Sequence, residues 1–232
     1  MRVCSVMQPT YFPWAGYFNL IAKSDFFIFL DDAQFQKNSW HNRNRLLVNQ
    51  KVHWLTVPVR HKALGQSIKD TEVDLTQHWR TKHSKLLKNN YSRHPFSKEV
   101  LDICNLIEMD DSEYLAELNI KLISWLLKKL NINTQILLSS AMDIKGKRTT
   151  RLIDLIKQLP VDCYLSPKGS AVYLEEDSFN DRSDVNLIYQ EYSPEPYLQY
   201  RHKIFESHLS IIDVVANIGF SETSQYILTI KK

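Results

Sequence analysis

The sequence predicts an α/β protein built on a mostly parallel sheet, with a helical lobe in the middle of the chain. Three observations carry this. A strand–loop–helix–strand pattern fills residues 3–30. Helical periodicity runs from Thr76 to about Leu130. Short apolar strands then alternate with amphipathic helices from Gln135 onward. The chain accordingly divides into an N-terminal part of the α/β domain (residues 1–75), a helical insertion (76–133) and a C-terminal part of the same domain (134–232).

Val3 to Met7 is a short apolar run of the kind a buried strand needs, and Pro9 and Pro13 break it into a loop. Gly16 to Lys23 reads as a helix, with Tyr17, Leu20 and Ile21 at i, i+3 and i+4. Phe26 to Leu30 is a second buried strand. Such a βαβ unit makes its strands parallel, and parallel sheets bind ligands beyond the carboxyl ends of the strands. The Gln8–Trp14 loop and the Asp31-Asp32 pair both fall at that edge. Arg45 to Val48 and Val52 to Val59 form a hairpin around Asn49-Gln50-Lys51, and residues 66–75 add one short strand.

About three helices fill the lobe. Asp110-Asp111-Ser112 offers an N-cap to the one whose apolar face is Leu115, Leu118, Leu122 and Trp125. Gln135 to Leu138 is a strand, and Thr149 or Thr150 caps the next helix, which buries Leu152, Ile153, Ile156 and Leu159. Cys163-Tyr164-Leu165 and Val185 to Tyr189 are further strands. Ile211, Val214, Val215 and Ile218 line a last helix that ends at Gly219 as its C-cap.

Composition narrows the class. A chain of 232 residues, 44% hydrophobic and with only 5 glycines, buries a large core and has no long flexible linker. A net charge of +3 is too mild to mark a general nucleic-acid binder. The 3 cysteines are too scattered for a disulfide framework or a CxxC zinc pair, which fits a reducing cytoplasm. No secretory signal and no apolar run long enough to cross a bilayer are present, so no membrane insertion is expected.

Several residues are candidates for chemistry. Gln8, Tyr11, Trp14 and Gly16 belong to a loop that follows a first strand and opens a helix; Gly16 would let the backbone approach a ligand closely, the alternative being a proline-stiffened turn with packed aromatics. Asp31 and Asp32 suit a hydroxyl, an amine or a metal, or else turn capping; neighbouring side chains on a strand face opposite ways, so both reach one pocket only if the strand has ended. Asn42 and Arg43 lie in a segment whose two guanidinium groups suit a diphosphate or carboxylate. Lys82 and His83 follow on a helix, His83 being a candidate general base or a structural histidine. His78 and His83 are five apart and do not make a metal pair, so no metal site is assigned. Lys147, Arg148 and Arg151 lead into a helix N-terminus, an arrangement that binds anions or is simply a solvated basic turn. Ser166 follows a strand in a ligand loop without the nucleophile-elbow pattern, and Tyr197 belongs to an aromatic loop that can close over a pocket.

Trp14-Ala15-Gly16-Tyr17 stands where nucleotidyltransferases and class I synthetase-like folds carry H-x-G-H. Both histidines are replaced by aromatics, so on that fold-level analogy adenylyl transfer is not expected. A more extensive likeness runs almost end to end. Gln8-Pro9-x-Tyr11-Phe12-Pro13-Trp14-x-Gly16-Tyr17-Phe18, Asp31-Asp32-x-Gln34-Phe35, Trp40-x-Asn42-Arg43, Trp54 to Val59, Trp79-x-x-Lys82-His83, Tyr164-Leu165-Ser166-Pro167, Tyr197-x-Gln199 and Leu209 to Asp213 together resemble the WbqC-like family. The resemblance implies a bacterial enzyme of O-antigen or other surface-polysaccharide biosynthesis.

The expected reaction is transfer of an acyl or aminoacyl group to the amine of a nucleotide-linked amino sugar. The donor is a thioester or an aminoacyl-tRNA, used as a cosubstrate with no resident cofactor. In that scheme Arg43 and the Lys145–Arg151 turn hold the diphosphate. Asp31, Asp32 or His83 removes the proton, and Gln8 or backbone N–H groups stabilise the oxyanion. The rivals are a non-catalytic sugar-nucleotide-binding or scaffolding protein and a metal-dependent hydrolase.

Overall fold

The computed structural model describes residues 1–60 and 63–229. Its elements in chain order are β1 (Val3–Met7), α1 (Ala15–Ala22), β2 (Phe26–Phe29), β3 (Arg43–Val48), β4 (Lys51–Thr56), β5 (Val59–Arg60) and β6 (Glu72–Val73). The lobe helices α2 (Trp79–Tyr91), α3 (Ser97–Met109) and α4 (Leu115–Lys129) follow. The chain ends with β7 (Gln135–Leu138), α5 (Arg148–Lys157), β8 (Cys163–Ser166), α6 (Ala171–Glu176), α7 (Phe179–Arg182), β9 (Asn186–Tyr189) and α8 (Ile211–Tyr226).

Among the described residues the main sheet has five strands in the order β7-β2-β1-β8-β9, every neighbouring pair parallel. The chain builds outward from β1 through β2 to β7, then crosses back to lay β8 on the other side of β1. The strand order therefore reverses between β1 and β8, and a crevice opens there at the carboxyl edge.

Strand alternation divides the core in two. Cys4, Val6, Ile28 and Tyr164 face a layer made by Leu152, Leu155 and Ile156 of α5 together with Leu174 and Phe179. Phe27, Phe29 and Leu165 face the larger core, which contains α1, the lobe helices and α8. The three cysteines are free and buried, and burial pushes the Cys4 thiol up to about 12. Two short antiparallel pairs, β3–β4 and β5–β6, stand outside this sheet. No described helix is long and apolar enough to cross a membrane.

Three helix ends differ from the sequence expectation, each because of a tertiary partner. Asp110 accepts from Ser112 and from Arg80 at 3.0 Å, so α4 starts at Leu115 without it. The Thr149 hydroxyl donates to Asp177 at 2.6 Å, and α5 begins one residue earlier, at Arg148. Gly219 does adopt a positive φ of 76°, as a helix C-cap would. The chain nevertheless resumes as helix to Tyr226, because Glu99 accepts from the Phe220 N–H and caps the second half. The Phe96 ring lies 2.6 Å from where a Cβ would stand on Gly219, which leaves room for glycine alone at this kink.

Candidate functional site

A cleft of about 910 Å³ lies along the carboxyl edge of the sheet. Met7 and Gln8 at the end of β1, Asp32 beyond β2, Pro167 and Ser170 beyond β8, and Lys147, Arg148 and Arg151 at the start of α5 line it, with Tyr164 and Tyr173. A second pocket of about 440 Å³ shares Met7, Gln8 and Gln34 with the first and continues to Thr10, Trp14, Tyr17, Trp40, His41, Asn44 and His208. Gln8 thus stands between two chambers.

Asp31 and Asp32 lie in a turn after β2 has ended, which lets both reach the same neighbours. Asp31 is buried and accepts from the Ser140 N–H at 3.0 Å and from the Ser139 and Ser140 hydroxyls. It ties the end of β2 to the turn after β7. Asp32 receives a two-pronged bond from Arg151, at 3.0 and 2.6 Å, and another from Ser139 at 2.6 Å. Burial works against ionisation of Asp32, but these hydrogen bonds and the guanidinium charge outweigh it and hold the carboxyl below its ordinary value. Arg151 spends a further donor on the Ile144 carbonyl, so one residue fixes both Asp32 and the turn that carries Lys147.

The N-terminus of α5 is unusual. Its N-cap residue Lys147 makes no side-chain cap; Asp177 instead takes both the hydroxyl and the backbone N–H of Thr149, and Arg148 sits in the left-handed region at φ 52°. Arg148 reaches Asp177 at 3.3 Å, while Lys147 has no carboxylate partner among the described residues. At this helix N-terminus the Lys147 ammonium and the partly neutralised Arg148 guanidinium therefore face the cleft together.

The loop from Gln8 to Trp14 is held from three sides. Asn44 donates to the carbonyls of Tyr11 and Phe12, Ser210 also donates to Phe12, and Asn119 donates to Pro9. These bonds support Phe12 in a left-handed backbone at φ 40°. Trp14 is stacked between Tyr192 and His208, at ring separations of 5.6 and 4.6 Å. Its indole lies over Gly16, 2.2 Å from where a Cβ would be. Gly16 therefore makes room for Trp14; the indole occupies the space that sequence reading reserved for a ligand. Gly16→Ala is expected to swing Trp14 out of its stack and open the smaller pocket, seen as a red-shifted tryptophan emission with the far-UV spectrum intact.

His41 lies in the wall of that pocket. Burial lowers its pKa to about 4, so the ring is neutral at pH 7. The Gln36 N–H donates to its Nδ1 at 3.2 Å, which leaves the proton on Nε2 as a donor. His208 is exposed at the pocket, and burial and the Arg45 charge both lower its pKa.

The structure brings Gln8, Asp32, Lys147, Arg148 and Arg151 to the cleft and Trp14 to the pocket, with Asp31 and Ser166 directly behind. Other candidates lie elsewhere. His83 is buried, its Nδ1 paired with the Tyr11 hydroxyl at 2.9 Å and its Nε2 with the Thr56 carbonyl at 3.0 Å; burial lowers its pKa to about 4. Tyr11 and His83 thus join the loop to α2, and neither lines a chamber. Asn42 donates to Val57 within the core, and the Tyr197 hydroxyl donates to buried Asp213. Lys82 is exposed on α2 and lines neither chamber, and Arg43 stacks on Trp54 at 4.1 Å, away from the α5 turn. Ser139, Ser140 and His208 had no local signal, since Asp31 and Trp14, which they meet, are distant in sequence; Gln34 entered only through the family motif. Among the described residues no group of three or more His, Cys, Asp or Glu is placed to hold a metal ion.

The profile of the WbqC-like protein family matches residues 8–225, which takes in both chambers and the helices that support them. An uncharacterized protein of Mycobacterium tuberculosis, Rv1507c, is 32% identical over 231 residues, covering 98% of each chain. No solved structure matches the sequence. With a match of that extent, the chain belongs to the WbqC-like protein family.

Proposed function

We propose that this protein is an enzyme of surface-polysaccharide biosynthesis that transfers an acyl or aminoacyl group to the amine of a nucleotide-linked amino sugar. The observation that carries the reading is the pair of chambers meeting at Gln8, one basic and at the sheet's switch point, the other aromatic. The nucleotide diphosphate occupies the larger cleft, held by Lys147 and Arg148 at the N-terminus of α5. The donor's acyl group enters the aromatic pocket.

The sugar ammonium gives one proton to neutral His208, and the free amine attacks the donor carbonyl carbon. A C–N bond forms as the C–O or C–S bond to the donor breaks. The second amine proton leaves with the departing oxygen or sulfur. His41 Nε2–H and the Gln8 amide are the donors for the developing oxyanion. Asp31 and Asp32, fully engaged by Ser139, Ser140 and Arg151, are positioning residues here.

The test is titration with UDP- or dTDP-linked amino sugars, then mass spectrometry of mixtures with thioester or charged-tRNA donors. Lys147→Ala with Arg148→Ala is expected to weaken sugar-nucleotide binding at least about tenfold. Binding that never yields product with any donor would instead identify a carrier or scaffold, and no binding at all would remove the reading.

A further inference from the structure

Between Asp32 and Asp70 the chain carries no acidic residue. Residues 33–69 contain seven lysines and arginines, so the remainder of a chain of net charge +3 is net negative. The positive charge is thus concentrated in one segment, and that segment contains the β3–β4 hairpin. Three of the seven, Arg43, Arg45 and Lys51, lie on the hairpin itself, so a modest whole-chain charge conceals a basic hairpin.

The outer face of the hairpin has a specific construction. Arg43 lies over the Trp54 ring at 4.1 Å, Trp54 lies 5.3 Å from Trp40, and Arg45 lies over Trp40 at 5.7 Å. These four side chains form one continuous row of flat groups. Trp40 and Trp54 are 47% and 39% exposed, an unusual state for the largest apolar side chain. Neither Arg43 nor Arg45 has a carboxylate partner among the described residues. Arg45 donates to the carbonyls of Ser207 and His208, which anchors the row to the aromatic pocket. Trp40 belongs to both, since it also lines that pocket.

We infer that this row is a docking platform for a single-stranded RNA end, whose bases stack on Trp54 and Trp40 while Arg43 and Arg45 meet its phosphates. Unstacked bases present the faces that exposed indole and guanidinium planes accept, and the absence of acidic side chains favours a polyanion. Neutral sugars also stack on tryptophan, but they do not call for an acid-free basic segment. The terminal residue of a strand lying along the row enters the pocket of about 440 Å³ beside His41 and His208. The inference rests on the transfer reading in taking that pocket for the donor chamber, and it names the donor: an acyl group esterified to an RNA 3′ end. In that case the C–O bond that breaks is the ester bond, and the ribose hydroxyl is the leaving group.

The experiment is fluorescence anisotropy with the intact protein and a labelled single-stranded RNA of about 12 nucleotides, against the same sequence as a duplex. Binding of the single strand with Kd between about 1 and 100 µM at physiological salt is expected, with the duplex weaker. Trp54→Ala and Trp40→Ala should each weaken it about tenfold, and Arg43→Ala should lower the slope of log K against log salt by about one. Trp54 lines neither chamber, so Trp54→Ala should leave sugar-nucleotide binding to the cleft unchanged, which separates failure of this inference from failure of the transfer reading. Absence of binding below about 100 µM, a duplex that binds as well, or full affinity in the Trp40→Ala, Trp54→Ala double variant would each overturn it. So would tryptophan quenching by neutral oligosaccharides in a protein that does not bind the RNA.

Discussion

Arg151→Ala is expected to cost about 2 kcal/mol of stability and at least about tenfold in affinity for a nucleotide-linked sugar. The guanidinium and Asp32 are 15% and 21% exposed, so removing one partner strands a mostly desolvated charge. The residual exposure keeps the cost below that of a fully buried pair. The same substitution frees the Ile144 carbonyl and loosens the turn that presents Lys147.

Arg151→Lys restores the charge without the two-pronged geometry and should recover only part of the affinity. The pH dependence has a defined sign. Asp32 has a folded pKa below its unfolded one, so its contribution is present above the unfolded value of about 4 and is lost as pH falls below it. Thermal melts of wild type and Arg151→Ala should therefore differ at pH 7 and converge at low pH. Parallel melts across the whole range would show that the pair contributes nothing.

The second large effect is expected at Asp213, which the sequence presents only as the end of the Leu209 to Asp213 segment. It is wholly buried and accepts from Tyr91 at 3.1 Å, Tyr197 at 2.8 Å and Gln199 at 3.4 Å. The carboxylate thereby joins α8 to α2 and to the segment around Tyr197. Asp213→Ala leaves the buried Tyr91 and Tyr197 hydroxyls without their acceptor and should cost about 3–5 kcal/mol.

The pH behaviour of Asp213 is opposite to that of Asp32. Burial, partly offset by the hydrogen bonds from Tyr197, Tyr91 and Gln199, raises its pKa to about 6. Between about pH 4 and 6 the folded state holds a proton that the unfolded state has released, so stability falls as pH rises. The loss is on the order of 2 kcal/mol and should be missing from Asp213→Ala. A variant whose melting follows the wild-type pH profile would exclude Asp213 as its source.

The strands, the helical lobe and the sheet edge that carries the cleft were all legible in the sequence, because each rests on local periodicity. Phe26 to Phe29 is apolar in every position, as a strand covered on both faces must be. Gln8 and Asp32 could be placed at the edge for the same reason, whereas the Lys147–Arg151 turn reads only as a basic segment that leads into a helix. What the sequence hid were pairings over long separations. Asp31 meets Ser139 and Ser140, and His83 meets Tyr11, across contacts that no spacing rule encodes. Arg43 reads as a ligand for the sugar-nucleotide diphosphate by residue type, yet its strand places it over Trp54 and outside the cleft. Gly16 reads as room for a ligand, and the room is filled by the residue two positions earlier.

The crossover from β7 back to β8 also sets the order in which the molecule can be made. Val3 and Cys4 pair with Cys163 and Tyr164, and Ser5 donates across the same seam to Leu165. A ribosome has released β1, β2 and the whole helical lobe long before β8 exists. Until then β1 is an open edge with unpaired backbone groups on one side. Closing this high-contact-order seam is a late and slow event, and it creates the crevice where the cleft lies. The nascent chain is therefore most exposed to aggregation just before it acquires its site.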